Sequence, residues 1–182
     1  MSFFNKVKYP LIIFIICFIT YSNSFDCSFH FDDELSITES TIIKNSDFIF
    51  NLNFWLEPTY RIISLITFYV DYQFWGLNVF GYHLSSIFFH AVSSILVFVL
   101  SGIVMRRLTN LNANVCNLLA FFTSVFFAVH PIQSQAVVYI VQRMSILAAL
   151  FYILSVVMYY FARRAFNDGK YSKSIIYVLT VF

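Results

Sequence analysis

Charge is scarce in this 182-residue chain: Lys, Arg, Asp and Glu make up 11% of it, with only four glycines and three prolines. Hydrophobic residues fill 60% and aromatics 21%, well above the roughly 45–50% apolar usage of soluble domains. Apolar runs on this scale exceed what a globule of this length can hide in its core, which excludes a plain soluble domain. A net charge of +2 is too small to suggest a nucleic-acid partner. No Gly/Ser linker, tandem repeat or separate soluble domain interrupts the chain. The three cysteines, Cys17, Cys27 and Cys116, have neither metal-ligand spacing nor the pattern of a disulfide framework. No metal site is predicted from them, and they do not report a redox compartment.

What is present is a series of apolar runs. They cover about 9–25, 79–105, 115–129 and 144–161, with a fifth, 174–182, that is incomplete. Each complete run approaches the ~20 residues a spanning helix needs. The runs are apolar all round, whereas barrel strands alternate apolar and polar residues. The predicted fold is therefore all-α, a polytopic transmembrane helical bundle. The strongest part of the first run, "PLIIFIICFI", has the length of a signal-peptide core. No small-x-small cleavage site follows clearly, so it reads as an uncleaved anchor.

The few charges orient the bundle. With the N-terminus inside, eight of the eleven basic residues fall inside: Lys6, Lys8, Arg106, Arg107, Arg163, Arg164, Lys170 and Lys173. Lys44, Arg61 and Arg143 fall outside. The positive-inside rule counts Lys and Arg, and this arrangement satisfies it. The acids then lie outside, apart from Asp168. The expectation is an integral membrane protein with a cytoplasmic N-terminus, in a bacterial inner membrane or the endoplasmic reticulum membrane. Residues 23–78 form the first outer loop. Within it, Phe48, Leu52, Trp55 and Leu56 recur at helical spacing, and residues 60–76 make a second apolar segment containing Arg61 and Asp71. Both segments are predicted as in-plane amphipathic helices packed on the bundle.

Three groups of residues carry chemistry. Asp32 and Asp33, followed by Glu34, sit just past the first run between apolar Phe29, Phe31 and Leu35. Hydrated loop is one reading; the other is a general base, because a carboxylate beside apolar groups and a second carboxylate has its pKa pushed up. His83 and His90 share a face of the second run, two turns apart, too far to share one ion. A helix–helix hydrogen bond is the plainer role for such a pair. In "HPIQSQAVVYIVQR" (130–143), His130 precedes Pro131, which suits a helix start. Drawn as one helix, Pro131 to Arg164 would span about 51 Å at 1.5 Å per residue, so its first turns should lie outside the bilayer core. Gln135, Tyr139 and Gln142 then share a face, flanked by Arg143. An outer arginine there either meets lipid headgroups passively or holds a specific phosphate, and the residues alone leave both open.

Taken together, "FDDEL", "YRIISLITFYVDYQFWGLNVFGYHLSSIFFH" and "FFAVHPIQSQAVVYIVQRMSILAALFYILS" resemble the transmembrane and tetratricopeptide-repeat O-mannosyltransferases and their bacterial relatives. Those are polytopic glycosyltransferases of the GT-C superfamily. The resemblance runs from about Phe25 to Arg163. Tyr60-Arg61-Ile62 departs from the family's common Tyr-Arg-Pro, and Ser85 follows Leu84 where relatives often carry Asn. Members carry more spans and usually a C-terminal repeat array, so the chain reads as a truncated, N-terminal part of a GT-C-like domain.

The resemblance implies an inverting transfer of a mannose-like sugar from a polyprenyl-phosphate donor to a hydroxyl on a protein or glycan acceptor at the outer face. Asp32 or Asp33 would be the base. Glu34, Arg61, His83, His130, Gln142 and Arg143 would bind substrate, with Arg143, helped by Arg61 and His130, on the leaving phosphate. No cofactor is expected beyond the lipid-linked sugar, and a divalent metal stays open. The alternative is a non-catalytic membrane scaffold, in which the acids are hydrated loop and Arg143 is a lipid anchor.

Overall fold

The computed structural model describes residues 3–45 and 61–179. Among them are helices α1 (Phe3–Tyr21), α2 (Thr41–Lys44), α3 (Ile62–Trp75), α4 (Val79–Leu108), α5 (Ala113–Val129), α6 (Gln133–Val138), α7 (Arg143–Asn167) and α8 (Tyr171–Leu179). No strand occurs among the described residues. The expected interfacial helix at 48–56 lies outside them.

Three stretches are long and apolar enough to cross a membrane: Val7–Ser24, Val79–Leu108 and Ile140–Asn167. The 17-residue α5 is shorter, at the lower end of spanning lengths. Ring and hydrogen-bond contacts fix the directions. Tyr9 of α1 packs on Phe98 of α4 and Phe121 of α5, while Tyr21, at the far end of α1, packs on His90. So α1 and α5 run one way and α4 the other. α7 runs with α4, since Arg143 meets Tyr82 and Ser86 near the start of α4 and Arg107 meets Tyr160 near its end.

Many of the residues buried between these helices are small or polar, Ala91, Ser93, Ser94, Ala120, Ser124 and Ala128 among them, beside larger Ile13, Ile87 and Ile146. Large apolar side chains such as Ile19, Phe122, Phe126 and Tyr152 point away from the bundle. That inversion suits lipid, where helices associate through close small-residue packing and interhelical hydrogen bonds. Ser124 Oγ donates to the Ser94 carbonyl at 2.6 Å. Near the end of α5, the Ala128 carbonyl lacks an intrahelical partner; Tyr21 Oη donates to it at 3.1 Å and His90 Nε2 at 3.0 Å. His90 is thus a helix–helix tie.

The α3–α4 turn positions the charged core. Gly76 has φ 58° and ψ −123°, a combination open to glycine and strained for other residues. Asn78 caps α4 by accepting from the Phe80 N–H at 3.1 Å. Tyr82 Oη donates to the Gly76 carbonyl at 2.9 Å. Gly81 lets the Trp75 ring lie against the helix: a Cβ there would meet ring atoms at 2.2 Å.

Candidate functional site

The acidic turn follows α1. Phe31 has φ 51°, a left-handed conformation costing a β-carbon-bearing residue roughly 1–2 kcal/mol, so the surrounding contacts must hold it there. Its consequence is that the two acids diverge. Asp32 is exposed, whereas Asp33 is 1% exposed. Asp33 Oδ1 accepts the Val141 N–H at 2.7 Å, and its Oδ2 accepts the His30 N–H at 3.2 Å. The Asp32 N–H donates to Tyr139 Oη at 3.1 Å, and Phe31 packs edge-on against the Tyr139 ring. Burial pushes the Asp33 carboxyl above its ordinary value of 3.8, against the opposing pull of the His30 and Val141 amides.

Val141 can give its N–H to Asp33 because the helix is broken beside it. Pro131 to Arg164 is not one helix: α6 ends at Val138, Tyr139 turns extended (φ −81°, ψ 108°), and a single 3-10 turn covers Ile140–Gln142 before α7 starts. A continuous α-helix would have directed that N–H to the residue 137 carbonyl. The same break removes the shared face expected for Gln135, Tyr139 and Gln142. Past the acids, the Glu39 N–H bonds the Glu34 carbonyl at 2.8 Å, a π-type turn of the kind that recurs at functional sites.

Arg143 has no exposed surface and turns into the bundle. Its Nη1 pairs with Asp71 Oδ2 at 2.6 Å, outside linear hydrogen-bond geometry, and also donates to Thr67 Oγ1 at 3.3 Å. Nε donates to Ser86 Oγ at 3.2 Å, and Nη2 donates to the Tyr82 carbonyl at 2.7 Å. The guanidinium lies 4.6 Å from the Phe68 ring centroid. Ser85 Oγ donates to the other Asp71 oxygen at 2.6 Å. Such a buried charge persists only when paired and hydrogen-bonded.

Beside this pair, α3 and the start of α7 flank a groove of about 440 Å³, lined by Arg61, Ile62, Ile63, Ser64, Met144, Ser145, Leu147, Ala148 and Phe151. Arg61 is exposed and donates to Met144 Sδ at 2.9 Å. Met144 also packs against the cluster of Ile37, Ile43, Phe68, Tyr82 and Ile140, which Phe29 of the acidic turn joins. The groove and the acidic turn therefore share one support.

The remaining candidates are spread around this end. Glu34 is exposed. His83 is fully buried. Its Nε2 donates to the Cys27 carbonyl at 3.0 Å, which leaves Nδ1 an acceptor with no hydrogen-bond partner among the described residues. His130 is half-buried, and its Nδ1 accepts the Ile132 N–H at 3.2 Å. Gln142 Oε1 accepts from Ser145 Oγ at 2.8 Å at the entry to α7. Sequence reasoning missed Asp71 and Met144 as parts of this region, and placed Tyr139 only on a helix face beside Arg143. Asp71 carried a signal: it is a lone acid inside an apolar run, and such a group normally has a named partner.

No family model and no solved structure matches the chain. It is 29% identical over 173 residues to protein O-mannosyl-transferase TMTC3 of Homo sapiens, covering 87% of this chain and 17% of that protein. It is 26% identical over 171 residues to protein O-mannosyl-transferase Tmtc3 of Drosophila melanogaster, 82% and 18% respectively. With protein O-mannosyl-transferase TMTC4 of Homo sapiens the identity is 25% over 189 residues, 94% and 26%. The chain thus spans about a quarter or less of the length of these relatives.

Proposed function

We propose, on the premise that this chain is a homologue of the transmembrane and tetratricopeptide-repeat protein O-mannosyltransferases, that it supplies the outer-face catalytic end of a membrane glycosyltransferase. The donor is a polyprenyl-phosphate mannose and the acceptor a serine or threonine hydroxyl of a protein. The lipid tail of the donor enters the apolar groove between α3 and α7, and Arg61 at that groove meets the phosphate. The acceptor oxygen attacks the anomeric carbon, its proton passes to the Asp32 carboxylate, and the bond to the phosphate oxygen breaks with inversion. The leaving group is already an anion, so it needs positive charge more than a strong acid. The scheme requires no resident cofactor.

Asp33 and Arg143 are positioning residues in this reading. Asp33 ties the acidic turn to the entry of α7, and Arg143 ties that entry to α3 and α4. The observation carrying the proposal is the 2.7 Å bond from the Val141 N–H to Asp33 Oδ1, across 108 residues of chain. It supports a shared site by holding the acids beside the helix that flanks the groove.

The test uses the natural full-length protein, with transfer from polyprenyl-phosphate mannose to a Ser/Thr peptide as readout. Asp32→Asn removes basicity while keeping size, and should lower the rate ~10²–10⁴-fold. Asp33→Asn keeps an acceptor for Val141 and should cost much less. Arg61→Gln should weaken donor use without unfolding the bundle. Wild-type rates in Asp32→Asn would remove the base assignment. A protein that consumes no such donor is a scaffold instead.

A further inference from the structure

The opposite end of the bundle carries a second cavity, about 340 Å³, between the C-terminal turns of α4 and α7. Arg106, Arg107 and Arg164 line it, with Phe98, Ile103 and Tyr160. We propose that this cavity binds the phosphate headgroup of an anionic membrane lipid at the inner leaflet.

Three guanidiniums around one cavity repel one another, and an exposed cluster would ordinarily splay into water. Here two are held in place. Arg106 donates to Asn117 Oδ1, and Arg107 donates from Nε to Tyr160 Oη at 3.5 Å while its guanidinium lies 5.3 Å from the same ring. Arg107 therefore keeps its terminal nitrogens for another acceptor. Among the described residues no ion pair reaches any of the three, so protein carboxylates do not neutralise them there. Guanidinium forks match phosphate oxygens in geometry, and basic pockets between spanning helices on the cytoplasmic side are where anionic headgroups dock. Phe98 and Ile103 supply an apolar border suited to the start of the acyl chains. A volume near the low end of ligand pockets fits a headgroup rather than a whole lipid.

Arg163 separates this site from a general positive-inside effect. It is exposed at the same end of α7 but does not line the cavity. The experiment places the full chain in detergent micelles and reads bound lipid by native mass spectrometry. The probes are phosphatidylglycerol, phosphatidylcholine and inorganic phosphate. Wild type and Arg163→Gln should retain phosphatidylglycerol over phosphatidylcholine, whereas Arg107→Gln and Arg164→Gln should each weaken that retention about fivefold. Arg107→Lys, which keeps charge but not the fork, should fall between. Equal loss in Arg163→Gln, or equal binding of phosphatidylcholine, would overturn the site. Displacement of the lipid by millimolar inorganic phosphate would assign it to a soluble anion instead. Should one variant fail to fold, the other arginine of the pair still decides the result.

Discussion

A guanidinium without exposed surface must be neutralised where it stands, and Asp71 does this for Arg143. Removing one partner should therefore cost far more than removing both. Asp71→Leu leaves an uncompensated buried cation and should lower stability by about 3–5 kcal/mol, while Asp71→Leu with Arg143→Met should recover most of it. Apparent unfolding midpoints in mild detergent measure both. If the double variant of the full-length protein also keeps transfer, Arg143 acts by position; lost transfer in a well-folded double variant would put it on the substrate. Asp33 gives a second residue-level outcome. Its raised pKa means the folded state binds a proton more readily than the unfolded state between 3.8 and the higher folded value. That increment of stability is present at low pH and is lost as pH rises through the folded pKa. The difference in stability between wild type and Asp33→Asn should accordingly shift in that window, and a difference flat across it would contradict the burial of the carboxyl. The acid pair was legible as two carboxylates amid apolar neighbours. Which acid is exposed was not, because that depends on φ 51° at Phe31 and on an amide 108 residues away.

Apolar runs marked the long helices well, since 3.6-residue geometry and bilayer thickness impose the same signal on sequence and structure. The interruption at Tyr139 was not marked. Val138, Tyr139, Ile140 and Val141 are all apolar, with no glycine or proline among them. What accompanies the break is tertiary: Asp33 takes the Val141 N–H that the broken helix frees, and the Tyr139 hydroxyl accepts the Asp32 N–H. The turn between α3 and α4 is the opposite case, written locally by Gly76 and Asn78 yet dependent on a ring packed against Gly81. A β-carbon at position 81 would lie 2.2 Å from Trp75 ring atoms, Cγ among them, so the ring must swing from its root. Gly81→Ala should destabilise by about 1–3 kcal/mol, the usual cost of overpacking. Adding Trp75→Ala should relieve that clash, making the pair strongly non-additive. Simple additivity of the two melting shifts would show that ring and glycine do not press on each other.

The whole bundle sorts its chemistry by end. At one end lie the acidic turn, the α3–α7 groove and the buried Arg143–Asp71 pair; at the other lie Arg106, Arg107 and Arg164 around their cavity. Helix directions make this separation a property of the fold, because α4 and α7 run in parallel from the first end to the second. Only the choice of which end faces the cytoplasm rests on the Lys and Arg bias, and that choice is open to direct measurement. In a background lacking Cys17, Cys27 and Cys116, single cysteines at Asn45 and at Lys170 report the two ends, since Asn45 follows α2 beside the acidic turn and Lys170 follows α7. A membrane-impermeant maleimide added to intact cells, or to sealed vesicles of known orientation, should label Asn45→Cys from the outer or luminal side. Lys170→Cys should react only after the membrane is permeabilised. The reverse pattern would put the acids in the cytoplasm, where an acceptor arriving from outside never meets them. Labelling of both positions from one side would break the antiparallel arrangement of α1, α4, α5 and α7 itself. The expected opposite labelling leaves the acidic turn on the face the proposed transfer requires, and the three arginines at the leaflet where an anionic headgroup can reach them.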